Sequence, residues 1–156
     1  MAGKTFSFEV KRISSAPPAT LFQLEADGTR WSEWAKPLQA SWDQPGDPPG
    51  ELGAVRRVGR WPVFVREKTV EYDRDRRHVY ELISPPSPAK DYRAEAIFTP
   101  TADGGTDFVW RGSFTEGVRG TGPIMRSIFG GAIRLFSAQL VKAAEREHRK
   151  GISFPK

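Results

Sequence analysis

The chain has 156 residues, the usual size of one domain, and we expect residues 1–156 to fold as a single unit. Hydrophobic residues make up 38% and charged residues 28% of the sequence, which is typical of a globular protein and excludes a disordered one. There is no cysteine, so disulfides, thiolate metal sites and cysteine nucleophiles are excluded. No apolar run resembles a signal segment or a membrane span, and a cytoplasmic protein is expected.

The formal net charge is +5, and arginines cluster at positions 56–60 and 74–77. A basic surface of this kind could attract nucleic acid. However, acidic residues are interleaved with these arginines between positions 67 and 75. A solvated surface with mixed charges is therefore the preferred interpretation, and nucleic acid is not the expected partner.

The first third of the chain predicts one strand followed by two short helices. Apolar and polar residues alternate from Thr5 to Ile13, as in a half-buried strand. The stretch 14–18 contains two serines and two prolines, which stop the strand and can begin a helix. A short helix is predicted at 19–24 and a second at 29–34, where Trp31 and Trp34 can face the same side.

The middle of the chain predicts six further strands with antiparallel hairpin spacing. The first begins at Ala40, and a loop rich in proline and glycine follows at 44–50. The other five are predicted at Gly53–Gly59, Val63–Tyr72, His78–Ile83, Asp91–Thr99 and Thr106–Phe114. A proline-rich break is predicted at 84–88.

One long amphipathic helix is predicted at Gly122–Lys150. Its apolar residues recur every three or four positions, and they are Met125, Phe129, Ile133, Phe136, Leu140 and Ala144. The order of elements predicts an α+β fold, in which a curved antiparallel sheet wraps around the long terminal helix. The two short helices after strand one would close one end of the sheet.

Several stretches together resemble the START-related superfamily, which includes polyketide cyclases and dehydrases and lipid-transport proteins. They cover nearly the whole chain and are Ala16–Phe22, Trp31–Trp34, Gly53–Val58, Glu71–Asp73 with Arg76–Arg77, Asp91–Ala94 and Thr106–Gly112. The resemblance implies the helix-grip fold, with a cavity between the sheet and the long helix. The superfamily contains binding proteins, transfer proteins and enzymes, so the fold alone does not define the function.

Gly112 interrupts an otherwise aromatic face of the last strand, between Trp110 and Phe114. A glycine in a strand often marks the close approach of another group. With the cavity that the resemblance implies, we expect Gly112 to leave space for a ligand near Gly130 and Gly131. The alternative is that these glycines let the helix pack tightly on the sheet.

Strand alternation predicts a cavity wall that is apolar and aromatic with few polar groups, as in many small-molecule sites. The predicted ligand-binding residues are Trp31, Trp34, Arg56, Val58, Val65, Glu67, Tyr80, Leu82, Tyr92, Ala94, Trp110, Gly112, Phe114, Met125, Phe129 and Ile133.

Glu67 is the candidate for proton transfer, because a carboxyl group in a cavity can act as an acid or base. Two alternatives stay open: an ion pair with Arg56 that only satisfies two buried charges, and an outward-facing Glu67 after a bulge near Pro62. Tyr80 and Tyr92 could each donate a hydrogen bond to a ligand carbonyl.

The turn at 59–63 resembles in position the mobile gate loop of the plant abscisic acid receptors. We therefore expect Trp61 and Pro62 to form a gate over the cavity mouth. The alternative is a surface hairpin with one exposed tryptophan.

No cofactor or metal is expected. His78 and His148 are far apart in sequence and have no cysteine to complete a metal site. The preferred function is binding or carriage of a small hydrophobic or aromatic ligand, lipid or polyketide-like, by a monomer or homodimer. The alternative is a polyketide cyclase or aromatase that uses acid and base groups in the same cavity.

Overall fold

The computed structural model describes residues 3–83 and 89–153, with the backbone alone for residues 152 and 153. The proline-rich break predicted at 84–88 lies outside the described residues. The strands are β1 (Thr5–Ser14), β2 (Gln39–Gln44), β3 (Val55–Arg60), β4 (Val63–Asp73), β5 (Arg77–Leu82), β6 (Ala89–Pro100) and β7 (Thr106–Glu116). The helices are α1 (Pro18–Ala26), α2 (Trp31–Trp34) and α3 (Gly122–Ser153), with a 3-10 turn at Gly28–Arg30.

The seven strands form one antiparallel sheet in the order β1-β7-β6-β5-β4-β3-β2. This sheet curves around α3, and α1 and α2 lie in the connection between the two edge strands β1 and β2. The helix-grip arrangement expected from the sequence is therefore confirmed. Each predicted strand and helix is present, with ends that differ from the prediction by a few residues.

The core lies between the inner face of the sheet and α3. In β7, burial alternates strictly, with Phe108, Trp110 and Phe114 directed inward and fully buried. On α3, the buried positions recur every three or four residues and include Ile133, Leu140 and Ala144. Both periodicities in the sequence thus correspond to faces that meet in one core.

Charged residues on the outer face of the sheet are paired with each other. Arg77 on β5 contacts Glu71 at 2.7 Å and Glu95 at 2.6 Å. Arg93 also binds Glu71, and Arg111 also binds Glu95. These arginines already form ion pairs with carboxylates. The outer face therefore agrees better with the expected solvated surface of mixed charge than with a phosphate-binding surface.

The register between β3 and β4 is continuous from Arg60↔Val63 to Val55↔Lys68. The bulge in β4 lies between Thr69 and Glu71, on the far side of Glu67 from the hairpin. The register therefore does not flip near Pro62, and Glu67 faces inward with 8% of its surface exposed.

Candidate functional site

A cavity of about 380 Å³ lies between α3 and the inner face of β3 to β7. Its lining extends from the exposed residues Arg60 and Val63 to the buried residues Tyr80 and Trp110. The space therefore opens at the surface beside the β3–β4 hairpin and ends in the core. The volume is within the usual range for small-molecule sites.

Ten of the residues predicted to bind ligand line this cavity. They come from α2, α3 and five strands, and they are Trp31, Val58, Val65, Glu67, Tyr80, Leu82, Tyr92, Trp110, Phe129 and Ile133. Strand alternation identified the seven that lie on strands, and the apolar stripe of α3 identified Phe129 and Ile133.

The other six predicted residues do not line the cavity. Trp34 is buried, and its indole N–H donates to the Leu24 carbonyl at 2.9 Å. Phe114 stacks on Phe6, with ring centroids 5.8 Å apart. Met125 packs against the core, Ala94 is buried within it, and Arg56 and Gly112 have other partners, described below.

Gly112 makes room for an aromatic side chain of the protein, because the neighbouring strand residue Phe8 lies across it. A Cβ atom at position 112 would lie 2.5 Å from the Phe8 ring and 3.1 Å from the Arg93 carbonyl oxygen. The Phe8 ring also packs on Tyr92 and Phe129. The space that we expected to be left for a ligand at Gly112 is filled by Phe8.

The close-packing alternative for the helix glycines does not hold either. A Cβ atom at Gly130 would make one ordinary contact, 3.6 Å from the Phe8 Cβ, and one at Gly131 would meet open space.

Six lining residues were missed from the sequence: Leu38, Gly59, Arg60, Val63, Ala132 and Phe136. The sequence contains a pattern that could have identified two of these six residues. Val63 has the same strand parity as Val65 and Glu67, and Phe136 belongs to the apolar stripe of α3. Leu38 lies in the connection after α2, where no sequence periodicity indicates which way the side chain points.

A buried group of charged side chains borders the inner end of the cavity. The Arg56 Nε donates to Glu67 Oε1 at 2.7 Å, and Nη2 donates to Glu25 Oε2 at 3.2 Å. Nη1 donates to the backbone carbonyl of Glu25 at 2.5 Å. The guanidinium lies between the rings of Trp31 and Tyr80, 4.5 and 4.8 Å from their centroids. The ion-pair alternative for Arg56 and Glu67 is thus the observed one, and it includes a second carboxylate.

Glu25 and His78 complete this group, and both were missed as members of it. His78 Nδ1 lies 2.8 Å from Glu25 Oε1, and Nε2 lies 2.9 Å from Thr69 Oγ1. Both side chains are buried. The sequence placed His78 just after a basic turn and Glu25 at the end of a short helix, and neither position indicates a long-range contact.

The surroundings of these groups change their protonation equilibria. Burial alone would lower the pKa of Arg56, but the Glu67 and Glu25 carboxylates raise it above its ordinary range. Burial alone would raise the pKa of Glu25, but His78 and Arg56 outweigh this effect and lower it. Both side chains therefore stay charged at neutral pH.

Apart from Arg60 at the mouth, the lining contains three residues with a carboxylate or hydroxyl group: Glu67, Tyr80 and Tyr92. Burial and then the Glu67 charge raise the pKa of both phenols, so both remain neutral. The Tyr80 oxygen accepts a hydrogen bond from Trp110 Nε1 at 3.1 Å. Within residues 3–83 and 89–153, neither phenolic O–H donates to an acceptor, and Glu67 Oε2 accepts no hydrogen bond.

The β3–β4 hairpin forms one side of the mouth, through Gly59, Arg60 and Val63. Trp61 at its tip is 80% exposed and does not line the cavity. The role of Trp61 and Pro62 as a gate stays a prediction.

Neither a membrane-spanning helix nor a metal-binding cluster of side chains is present in the described part of the chain. No helix there is long and apolar enough to cross a membrane. No group of three histidine, aspartate or glutamate side chains is arranged to hold a metal ion.

The fold is that of a helix-grip protein, with a cavity between the sheet and the long helix. The family model described as "polyketide cyclase / dehydrase and lipid transport" matches residues 5–145, and the chain belongs to this family. A comparison with curated proteins gives no match.

Solved structures share this fold over most of their length. Ara h 8.0201 is 19% identical, with a TM-score of 0.70 over 94% of this chain and 99% of that one. A protein from Thermobifida fusca is 23% identical, with a TM-score of 0.75 over 90% and 93%. A protein of unknown function from Staphylococcus aureus is 11% identical, with a TM-score of 0.74 over 94% and 98%. Identities this low support the fold alone.

Proposed function

We propose that this protein binds or carries a small hydrophobic or aromatic molecule in the cavity between the sheet and α3. The observation that carries the proposal is the composition of the cavity wall, which is apolar and aromatic apart from Arg60 at the mouth and three inner polar groups. Affinity would come mainly from the burial of apolar surface, and the polar groups would fix the orientation of the ligand. The family, which includes lipid transport, supports the same function.

Native mass spectrometry of the protein from its own host tests this proposal. We expect a bound apolar molecule that can be extracted and identified. The Ala132→Phe substitution places a larger side chain in the cavity and should abolish its retention, whereas Gly131→Phe, which points to open space on the same helix, should not. Equal retention by both folded variants would show that the molecule lies elsewhere and would contradict the proposal.

A cyclase or aromatase is the second candidate, and one observation favours it. Glu67, Tyr80 and Tyr92 converge on the same cavity with unused hydrogen-bonding capacity, which proton transfer to and from a bound polyketide would need. Under this hypothesis, Glu67→Gln and Tyr92→Phe retain binding but lose turnover. Under the carrier hypothesis they change affinity, and the parent protein shows no turnover.

Two finer expectations remain predictions. They are the cytoplasmic location and the monomeric or homodimeric state. Size-exclusion chromatography with light scattering would test the second.

A further inference from the structure

The distribution of charge around the cavity indicates which ligands it can accept. Two charged side chains are found among the described residues of the lining: Arg60 at the exposed mouth and Glu67 at the inner end. The inner end therefore presents a carboxylate to the ligand, with no cation of its own on the cavity surface.

Arg56, which lies next to the inner end, does not supply a cation to the cavity surface. Each of its three nitrogen atoms donates to Glu67 or Glu25, and the guanidinium also packs on the rings of Trp31 and Tyr80. One positive charge faces two carboxylates, and His78 contacts Glu25 and not Glu67. A ligand anion at the inner end would thus lie beside Glu67 without a free cation to neutralise it. Such a buried unpaired charge is strongly unfavourable.

The free hydrogen-bonding groups complement a hydroxyl. Glu67 Oε2 is an acceptor, and the O–H groups of Tyr80 and Tyr92 are donors that have no acceptor among the described residues. A neutral hydroxyl can donate to the carboxylate and accept from a phenol at the same time. A carboxylate ligand can only accept, and would meet Glu67 with like charge.

We propose that the cavity selects a neutral hydroxylated aromatic molecule, held with its hydroxyl on Glu67 and the two tyrosines, and discriminates against the corresponding carboxylate. This inference rests on the proposed ligand-binding function and specifies its ligand class.

Isothermal titration calorimetry at pH 7 with naphthalene, 2-naphthol and 2-naphthoate tests the inference, since the three probes share one ring system. We expect 2-naphthol to bind about 10-fold or more tightly than naphthalene, because a hydrogen bond to a charged group is among the stronger ones. We expect 2-naphthoate to bind more weakly than either. These ratios in the unmodified protein do not depend on any variant folding.

Substitution of Glu67 by glutamine should reverse the selectivity. The Glu67→Gln variant should lose about 10-fold of its affinity for 2-naphthol and gain affinity for 2-naphthoate, because the repulsive charge is gone. Tyr92→Phe should weaken the binding of 2-naphthol and leave the binding of the other two probes unchanged. Arg57→Gln is the control, because Arg57 is exposed on β3 and does not line the cavity, and it should leave the preference for 2-naphthol over naphthalene unchanged.

The outcomes distinguish this inference from the function on which it rests. If none of the three probes binds, the proposed binding function fails and the inference fails with it. If naphthalene binds but 2-naphthol binds no more tightly, the inference alone is wrong. It is also wrong if 2-naphthoate binds most tightly, whether through Arg60 at the mouth or at the inner end.

Discussion

Arg56 shows how one buried side chain can connect three elements of this fold. It lies on β3 and binds Glu67 on β4 and both the backbone and the side chain of Glu25 on α1. Only 2% of its surface is exposed. Its partners are therefore charges that have left water and depend on Arg56 for compensation.

We expect Arg56→Met to lower the free energy of unfolding by about 3–5 kcal/mol, the usual cost of removing one partner of a buried ion pair. Urea denaturation followed by circular dichroism would measure it. The control is Arg60→Met on the same strand, because Arg60 is exposed and makes no ion pair or ring contact with the described residues. That change should stay within about 0.5 kcal/mol. Equal costs for the two substitutions would contradict the role assigned to Arg56.

At the scale of elements, glycines in β7 and α3 have opposite consequences. Gly112 on β7 is needed because Phe8 occupies the position of its missing side chain, whereas Gly131 on α3 is surrounded by open space. Glycine in the interior of a helix is unfavourable, since the unfolded chain gains more conformational freedom.

We expect Gly131→Ala to stabilise the protein by about 0.5–1 kcal/mol. The matched Gly112→Ala should destabilise it by about 1–3 kcal/mol, because the added methyl group overpacks the Phe8 ring. Thermal and urea unfolding of both variants would check these signs. The cost of Gly112→Ala should also fall in a Phe8→Leu background, and an unchanged cost there would show that the Phe8 ring is not its cause.

The elements themselves could be predicted because each has a clear period. Alternation in β3 to β7 defined the inner faces, so Val65, Glu67 and Tyr80 were assigned correctly to the same side. The apolar stripe defined the buried face of α3. Alternation does not predict which inward residues contact each other across the sheet. The contact between Phe8 and Gly112 is one example.

At the scale of the whole molecule, the prediction from sequence failed for contacts that depend on tertiary placement. Glu25 belongs to a helix only nine residues long, and its partner His78 is 53 residues away. No local pattern relates these two positions. Arg56 is absent from the cavity lining and binds Glu25, so its position too depends on a contact that no local pattern indicates.

The group formed by Glu25, Arg56, Glu67 and His78 joins α1 to three strands, so its titration should affect the stability of the whole fold. His78 and Arg56 hold the pKa of Glu25 below its usual range in the folded protein. A carboxyl group whose folded pKa is lowered contributes stability above its unfolded pKa, and that contribution is lost as the pH falls through the folded pKa.

We therefore expect the free energy of unfolding to fall more steeply in the unmodified protein than in Glu25→Gln as the pH is lowered from about 5 to about 3, the range that begins just above the ordinary glutamate pKa and extends below it. Urea denaturation at several pH values would measure both profiles. Asp107→Asn is the control, because Asp107 is exposed on β7 and its side chain makes no ion pair with the described residues, and its profile should parallel that of the unmodified protein. The carboxyl groups outside the group of Glu25, Arg56, Glu67 and His78 are common to all three proteins, so their contribution cancels in the comparison. Parallel profiles for Glu25→Gln and the unmodified protein would show that Glu25 gains nothing from its charged partners on folding.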